Sequence, residues 1–175
     1  MTDQLVQPRA RQLSAAPRAE QRDKYLTFSL GRETFAMDIR FIKEIIQHSA
    51  LTEVPLMPPF IRGVINLRGA VVPVVDLAVR FDRPPTEVGK KTCVVILEVQ
   101  HGDAAFVLGT LVDNVSEVLE IASGDIEAAP AFGNSLRSEF IRGVGKVGGR
   151  FVILLDVGHV LSVDEMAELC ANRAG

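Results

Sequence analysis

Short runs of apolar, largely β-branched residues recur along the chain from Tyr25 onward. Most runs are four to nine residues long and end at Gly, Pro, Asp or Asn. This pattern is typical of strands joined by tight turns. The runs are too short for a chain that alternates strands with long helices. We therefore predict a mainly β fold, with strands at Tyr25–Leu30, Ile61–Leu67, Val71–Leu77, Cys93–Val99, Ala104–Leu108, Leu111–Leu119 and Phe151–Leu155.

Helical patterning is confined to a few short segments. In residues 38–46, Ile39, Ile42 and Ile46 follow helical spacing, and Asp38 is placed to cap the first turn. Residues 162–165 form a capping box before an apolar stretch, which predicts a C-terminal helix over residues 162–172. A shorter helical turn is predicted after Asp156.

Residues 1–24 differ in composition from the rest of the chain. They contain five Lys or Arg residues against three Asp or Glu residues, two prolines and few large apolar side chains. Such a segment buries too little apolar surface to offset the entropy lost on ordering. We predict a disordered tail over residues 1–24 and a folded domain over residues 25–170.

The most informative feature is an internal repeat. Residues 60–77 and 140–157 are identical at eight of 18 positions at an offset of 80, and both copies predict a strand, a glycine turn and a second strand. Upstream, residues 35–46 and 108–119 are more weakly similar. The repeat predicts two related β modules, approximately residues 25–88 and 89–160, joined between Pro84 and Lys91. The copies diverge at the hairpin tip, where Arg68 corresponds to Gly148.

Charge and composition exclude several function classes. The chain has 19 Lys and Arg against 22 Asp and Glu, so it lacks the cationic surplus typical of nucleic-acid binding. No apolar run approaches the roughly 20 residues of a membrane-spanning helix, and the N-terminus has no apolar segment typical of a secretory signal. The two cysteines, Cys93 and Cys170, show no pairing pattern, which favours the reducing cytoplasm.

Candidate chemical motifs have simpler structural interpretations. Residues 143–148 match the glycine spacing of dinucleotide-binding loops, but a predicted strand follows where that site needs a helix. The histidines, His48, His101 and His159, lack metal-ligand spacing. Asp76 and Asp156 end repeat-equivalent strands, which favours capping over acid–base chemistry. We expect no enzyme activity, metal or cofactor.

One continuous segment carries a resemblance to a known family. Phe60–Gly69, reading FIRGVINLRG, is followed by Val71–Leu77, reading VVPVVDL, and together they strongly resemble the CheW family of bacterial chemotaxis coupling proteins. Similar segments are Tyr25–Gly31, Phe35–Ile39, Ile42–Ile45, Val112–Leu119, Phe140–Gly143 and Ile153–Asp156. The resemblance covers about residues 24–170 in the family's order.

The resemblance implies two five-stranded SH3-like β-barrels in a pseudo-symmetric arrangement, with an apolar groove between them. It implies a non-enzymatic adaptor that couples the cytoplasmic tips of chemoreceptors to the histidine kinase CheA, whose regulatory domain is similar in fold. Such a protein is cytoplasmic and is recruited to membrane-associated receptor arrays without inserting into the membrane.

The resemblance also implies roles for individual positions. The receptor-binding positions are Ile42, Glu44, Arg68, Val115 and Val118. The kinase-binding positions are Val71, Pro73 and Phe132, the last in a loop flanked by Pro and Gly. The structural glycines are Gly63, Gly69, Gly109 and Gly143.

Two alternatives remain open on the sequence. The first alternative is a coupling protein of a non-flagellar chemosensory pathway, which differs from a chemotaxis coupling protein only in the identity of its partners. Less favoured is a small-ligand-binding double-barrel protein that uses the glycine-rich loop or the groove. Saturable nucleotide binding in a calorimetric titration would favour the ligand-binding alternative.

Overall fold

The computed structural model describes residues 21–48, 51–128 and 138–161. These residues form strands and a few single-turn helices. The strands are β1 (Arg22–Leu30), β2 (Glu33–Asp38), β3 (Ile42–Gln47), β4 (Ile61–Leu67), β5 (Ala70–Asp76), β6 (Cys93–His101), β7 (Ala104–Val112), β8 (Asn114–Ala122), β9 (Ile126–Glu127), β10 (Ile141–Val147) and β11 (Arg150–Leu155). The helices are α1 (Leu77–Arg80) and α2 (Val157–Leu161), with 3₁₀ turns at Ile39–Phe41, Ser123–Asp125 and Ser138–Phe140.

The strands form two sheets. Sheet A has the order β8-β1-β2-β11-β10-β9, and sheet B has the order β3-β6-β7-β5-β4. Each sheet contains one parallel pair, β2 with β11 in sheet A and β5 with β7 in sheet B, and the other pairs are antiparallel. The predicted fold, mainly β with two SH3-like units, is confirmed. Sheet A has one strand more than the predicted five, because the two-residue β9 adds to β10.

The two repeat units exchange strands between the sheets. The first unit contributes β1 and β2 to sheet A and β3, β4 and β5 to sheet B. The second contributes β6 and β7 to sheet B and the remaining strands to sheet A. The predicted division near residue 88 therefore separates the repeat units but does not separate the sheets, each of which is built from both halves of the chain.

Local details follow the same pseudo-symmetry. The β4–β5 pairing shifts register between Ile61 and Gly63, and the β10–β11 pairing shifts between Ile141 and Gly143, at an offset of 80. Beyond β4 lies an isolated bridge from Thr52 to Val64, which corresponds to the pairing of β9 with β10. These matched features confirm that the sequence repeat is a structural repeat.

A shared apolar cluster lies between the sheets. Rings from β1, β2, the end of α1 and the turn before β10 follow one another through it. Phe28 and Phe35 have centroids 6.1 Å apart, Phe35 and Phe81 are 5.5 Å apart, and Phe81 and Phe140 are 5.9 Å apart. Smaller clusters occupy each sheet, around Tyr25 and Leu154 in sheet A and around Ile96 and Leu111 in sheet B. Burial of this apolar surface is the main stabilising contribution.

Several predicted boundaries are corrected. The helix predicted over residues 38–46 is wrong beyond Phe41, because residues 42–47 pair with β6. Asp38 does cap the short 3₁₀ turn by accepting a hydrogen bond from the Arg40 backbone N–H. The predicted strand Leu111–Leu119 is two strands, separated at Asp113.

The two ends of the folded domain also differ in part from the prediction. β1 begins at Arg22 because its backbone pairs with Ala122 and its neighbours, so residues 22–24 do not belong to the predicted tail. The helical turn after Asp156 is present as α2. Residues 1–20, the predicted helix at 162–172, Phe132 and Cys170 lie outside the described residues.

Candidate functional site

The geometry of the site begins with an ion pair between Glu44 and Arg68. Arg68 Nη1 lies 2.5 Å from Glu44 Oε2, and Arg68 Nη2 lies 3.0 Å from Glu44 Oε1, so the contact is bidentate. Glu44 lies on β3, one edge strand of sheet B, and Arg68 lies in the turn that follows β4, the other edge strand. The pair therefore connects the open edges of the sheet, and the structure brings together two of the residues assigned to receptor binding.

Arg68 occupies an unusual backbone conformation. Its φ is +52°, in the left-handed region that a bulky side chain rarely adopts, and Gly69 follows at +88°. The Gly69 N–H donates to Asn66 Oδ1 at 2.9 Å, which holds the turn. The Arg68 side chain is 73% exposed, so its pair contributes little to stability. Backbone strain retained at an exposed side chain is typical of a functional position.

The second repeat unit lacks this pair. The turn that corresponds to Arg68–Gly69 is Gly148–Gly149, where both residues adopt positive φ without a side-chain penalty. Glu117, the counterpart of Glu44, is exposed on β8. The predicted divergence of the two hairpin tips therefore corresponds to a difference in surface chemistry.

Electrostatics favours the charged forms of the pair. The hydrogen bond from Arg68 lowers the pKa of Glu44 below its usual range. The reciprocal hydrogen bond raises the pKa of Arg68. Glu44 thus stays ionised to a lower pH than an unpaired glutamate, and the guanidinium is held towards it while the Arg68 side chain stays accessible from solvent.

The apolar receptor-binding candidates lie on β3 of sheet B and β8 of sheet A. Ile42 on β3 and Val115 on β8 are half-buried and pack against the cluster between the sheets. Val118 on β8 is 52% exposed. β3 and β8 are edge strands of different sheets, and Ile42 and Val115 reach the same apolar cluster from them.

Ile45 is an exposed apolar residue that sequence reasoning missed. Its side chain is 42% exposed on β3. Strand alternation exposes Lys43, Ile45 and Gln47, which a helical interpretation of residues 38–46 does not predict. Three of the five residues 42–46 are isoleucine, and this β-branched content is the signal that favours a strand.

A cleft of about 650 Å³ opens next to Ile42. Phe41, Ile42 and Val99 supply its apolar lining, and α2 contributes Gly158. Charged side chains also line it, with Lys43 Nζ 3.8 Å from Glu98 Oε2. The cleft therefore combines apolar and charged side chains from both repeat units, and Ile42 is the receptor-binding candidate in its lining.

The predicted kinase-binding residues lie on β5. Val71 is 59% exposed, and Pro73 is half-buried opposite Val64 of β4. Pairing of β5 with β7 begins only at Val74, so this first half of β5 borders β4 alone. Phe132 lies outside the described residues.

The predicted structural glycines occupy tight positions. A Cβ at Gly63 would lie 2.7 Å from the carbonyl oxygen of Thr52, and a Cβ at Gly143 would lie 2.9 Å from that of Glu127. A Cβ at Gly109 would lie 2.8 Å from Val94 Cγ1. Gly69 has open space around it, and its requirement is the positive φ of the turn.

The motifs that suggested other chemistry are structural in the described residues. Residues 143–148 form β10 and a hairpin turn, and a strand follows instead of a helix. Asp76 is fully buried and caps α1, accepting from the Ala78 N–H at 3.1 Å. Asp156 accepts from the His159 N–H at 3.2 Å. Within residues 21–48, 51–128 and 138–161 no group of three His, Cys, Asp or Glu side chains is arranged to hold a metal.

Known proteins are similar to this chain over most of its length. Residues 24–165 match the family described as CheW-like domain. The chemotaxis protein CheW of Klebsiella aerogenes is 38% identical over 144 residues, which cover 82% of this chain and 84% of that protein. The chemotaxis protein CheW of Helicobacter pylori is 31% identical over 169 residues, covering 94% and 99% respectively.

A solved structure is similar to this chain in fold and in sequence. The crystal structure of the scaffolding protein TtCheW from Thermoanaerobacter tengcongensis superposes with a TM-score of 0.71 and 30% sequence identity, covering 80% of this chain and 88% of that one. Among the described residues, no helix is long and apolar enough to cross a membrane.

Proposed function

The chain belongs to the CheW family of chemotaxis coupling proteins, and on that premise we propose that it is a non-enzymatic adaptor that couples chemoreceptor cytoplasmic tips to the histidine kinase CheA. The observation that carries this proposal is the exposed, strained Arg68 held by Glu44, with the half-buried Ile42 two residues away on β3. It acts by binding two partners and catalyses no reaction.

The receptor contact uses side chains of β3 and β8 together with Arg68. Ile42, Val115 and Val118 offer apolar surface, which suits the apolar face of a helix from the receptor tip. Arg68 presents most of its side chain to solvent. A carboxylate on the receptor helix competes with or joins Glu44 at this guanidinium, because a planar fork recognises carboxylates bidentately.

The kinase contact uses the outer face of sheet B. Val71 and Pro73 form a small apolar surface on β5, and Phe132, outside the described residues, is the predicted anchor. Contacts of this size are individually weak. In an array, repeated contacts to receptor and kinase raise the effective concentration of each partner, so weak contacts suffice.

Co-sedimentation with receptor-containing membranes tests the receptor site directly. Wild-type protein is expected to sediment with the membranes, and Arg68→Ala to remain in the supernatant. Arg150→Ala is the matched control, because Arg150 is an exposed arginine that starts the equivalent strand, β11, in sheet A. Equal sedimentation of Arg68→Ala and wild type would remove Arg68 from the receptor site.

A separate pull-down of CheA by Arg68→Ala distinguishes the two contacts. Kinase binding is expected to match that of wild type, because Val71 and Pro73 remain in place. Loss of both contacts together with a lower melting temperature would show that Arg68 is structural, and the proposed role of Arg68 would be wrong.

A further inference from the structure

A β-bulge interrupts the pairing of β1 with β8. Leu26 lies opposite Val118, and Phe28 lies opposite Val115. The single residue Thr27 therefore faces two residues of β8, which is the arrangement that defines a bulge. Residues directly opposite each other in an antiparallel pair project from the same face of the sheet. Val115 and Val118 consequently both lie on the face of Leu26 and Phe28.

The bulge decides which side chains of β8 can meet a common partner. On a regular strand, residues three apart in sequence project from opposite faces of the sheet. Val115 and Val118 are three apart, so without the extra residue only one of them would lie on the face of the shared apolar cluster. With the bulge, Val115 packs against that cluster and Val118 is exposed on the same face.

The hydroxyl of Thr27 holds this bulge in place. Thr27 is 2% exposed. Its Oγ1 donates a hydrogen bond to the Glu117 carbonyl at 2.8 Å and accepts one from the Glu117 backbone N–H at 3.1 Å. A bulge disrupts the ladder of backbone hydrogen bonds between its strands. One buried side chain thus supplies both partners that the Glu117 backbone loses at the bulge.

Sheet B contains the same bulge without such a hydroxyl. In the pairing of β3 with β6, Ile42 lies opposite Leu97 and Glu44 lies opposite Ile96, so the register shifts by one residue here too. The β6 residue at this bulge is Ile96, which has no polar side-chain atom. The bulged segment of β3 is held instead by the bidentate ion pair from Arg68 to the Glu44 carboxylate.

Equivalent positions in the two sheets are therefore fixed by different side chains. Glu117 is the repeat counterpart of Glu44, and Gly148, the counterpart of Arg68, has no side chain with which to bind it. The Thr27 hydroxyl fixes the Glu117 backbone instead. Because this second clamp is a buried hydroxyl, it can be removed without changing the charge of the surface.

We propose that Thr27 is a positioning residue of the receptor contact, whose hydroxyl clamps the β8 bulge so that Val115 and Val118 meet the receptor helix together. This inference rests on the proposed function, because it concerns the arrangement of receptor-binding side chains on β8. Thr27 is buried, so it acts through the backbone of Glu117 and does not contact the receptor itself.

The test is co-sedimentation of full-length Thr27→Val with receptor-containing membranes. Valine keeps the shape of threonine and removes the hydroxyl, and Ile96 at the equivalent bulge shows that an apolar side chain is compatible with the fold. We expect the bound fraction to fall about threefold or more, since two hydrogen bonds that hold the bulge are lost. Thr27→Ser keeps the hydroxyl and is expected to bind as wild type does.

Amide hydrogen exchange of the free protein measures the clamp without any partner. We expect the Glu117 amide to exchange about tenfold faster in Thr27→Val, because its acceptor is removed and the bulge opens more readily. The amides of the β10–β11 pair are expected to exchange as in wild type. Unchanged exchange at Glu117 would overturn the clamp.

Thr110→Val is the matched control. Thr110 is fully buried, and its hydroxyl donates to the Val95 carbonyl at 3.2 Å within the regular β6–β7 pair. The control is expected to lower the melting temperature as Thr27→Val does and to bind receptor membranes as wild type does. Equal losses of binding in the two variants would assign the effect to stability and overturn the positioning role.

The outcomes separate this inference from the proposed function. Wild-type co-sedimentation of Thr27→Val would overturn the role of Thr27 and leave the coupling function standing. If the wild-type chain itself does not sediment with receptor-containing membranes, the proposed function is overturned.

Discussion

At Gly63 the backbone of β4 lies too close to the chain at Thr52 for any side chain. A Cβ there would lie 2.7 Å from a backbone oxygen that itself pairs with Val64. The neighbour is backbone, so it cannot move aside without breaking the bridge. Gly143 repeats this arrangement against Glu127 in the other sheet.

We therefore expect Gly63→Ala to destabilise the fold by about 1–3 kcal/mol, the usual cost of overpacking. Urea denaturation of the full chain measures it. Gly124→Ala is the control, because nothing lies within 4 Å of its added Cβ. Equal transition midpoints for the two variants would contradict the close approach at Gly63.

At Arg68, unlike at Gly63, substitution is expected to impair function without destabilising the fold. Arg68→Gly removes the strained side chain from a left-handed position, so we expect a melting temperature equal to or above that of wild type. We expect receptor co-sedimentation to be lost in the same variant. A large drop in melting temperature would show that the pair with Glu44 stabilises the fold.

His159 provides a test of the local electrostatics at α2. Its Nδ1 lies 3.0 Å from Asp156 Oδ2, and this hydrogen bond raises the pKa of His159 above 6.5. Any stabilisation from the pair is present below about pH 6.5 and is lost as the pH rises through the raised pKa. Titration followed by NMR is expected to give a lower pKa in Asp156→Asn, and an unchanged pKa would exclude the pair as the cause.

At the scale of elements, the two strand-end aspartates have diverged. Asp76 is fully buried and binds the Arg62 guanidinium at 2.6 Å, as well as the N–H and hydroxyl of Thr86 at 3.0 and 2.8 Å. Its partner Arg62 also donates to the Thr86 carbonyl. This network fixes the segment after α1 against β4. Asp156 is 38% exposed and mainly caps α2.

Alanine substitution of the two aspartates compares these roles. We expect Asp76→Ala to cost about 3–5 kcal/mol, because it leaves buried donors and an arginine without their partner. Asp156→Ala is expected to cost about 1 kcal/mol, the usual value for a lost cap. Chemical denaturation of both variants measures the difference, and equal losses would contradict the distinction between network and cap.

The sequence predicts the strand pairs that are local in the chain. The hairpins β4–β5 and β10–β11 and the caps at Asp38, Asp76 and Asp156 follow from short-range patterns of glycine, β-branched residues and aspartate. The β3 segment could not be predicted in this way. Its isoleucines fit helical spacing, and its strand conformation depends on pairing with Cys93–Leu97, about 50 residues away.

The candidate site was predictable only through resemblance. Glu44 and Arg68 are 24 residues apart, and no local pattern indicates that their side chains meet. Ile45 was missed, because exposure of an apolar side chain depends on the surrounding tertiary structure.

The whole molecule is defined by the exchange of strands between its halves. The repeat indicates two similar units, but similarity alone does not say which strands pair. In the structure each sheet takes strands from both sides of the segment at residues 82–92. The shared cluster between the sheets likewise draws residues from both halves.

We therefore expect neither residues 1–88 nor residues 89–175 to fold alone. Each fragment leaves both sheets incomplete and exposes the shared cluster. Coexpressed fragments are expected to associate and to regain the β-sheet circular dichroism of the intact chain. A cooperative thermal transition in the isolated 89–175 fragment would show that the repeat unit is an independent domain.

The most direct measurement of the central claim is CheA autophosphorylation in receptor-containing membranes, with and without this chain. The proposed function predicts strong activation by the wild-type chain, little activation by Arg68→Ala and wild-type activation by the control Arg150→Ala. Kinase activity that does not change when the wild-type chain is added, with partners from the same organism, would contradict the coupling function.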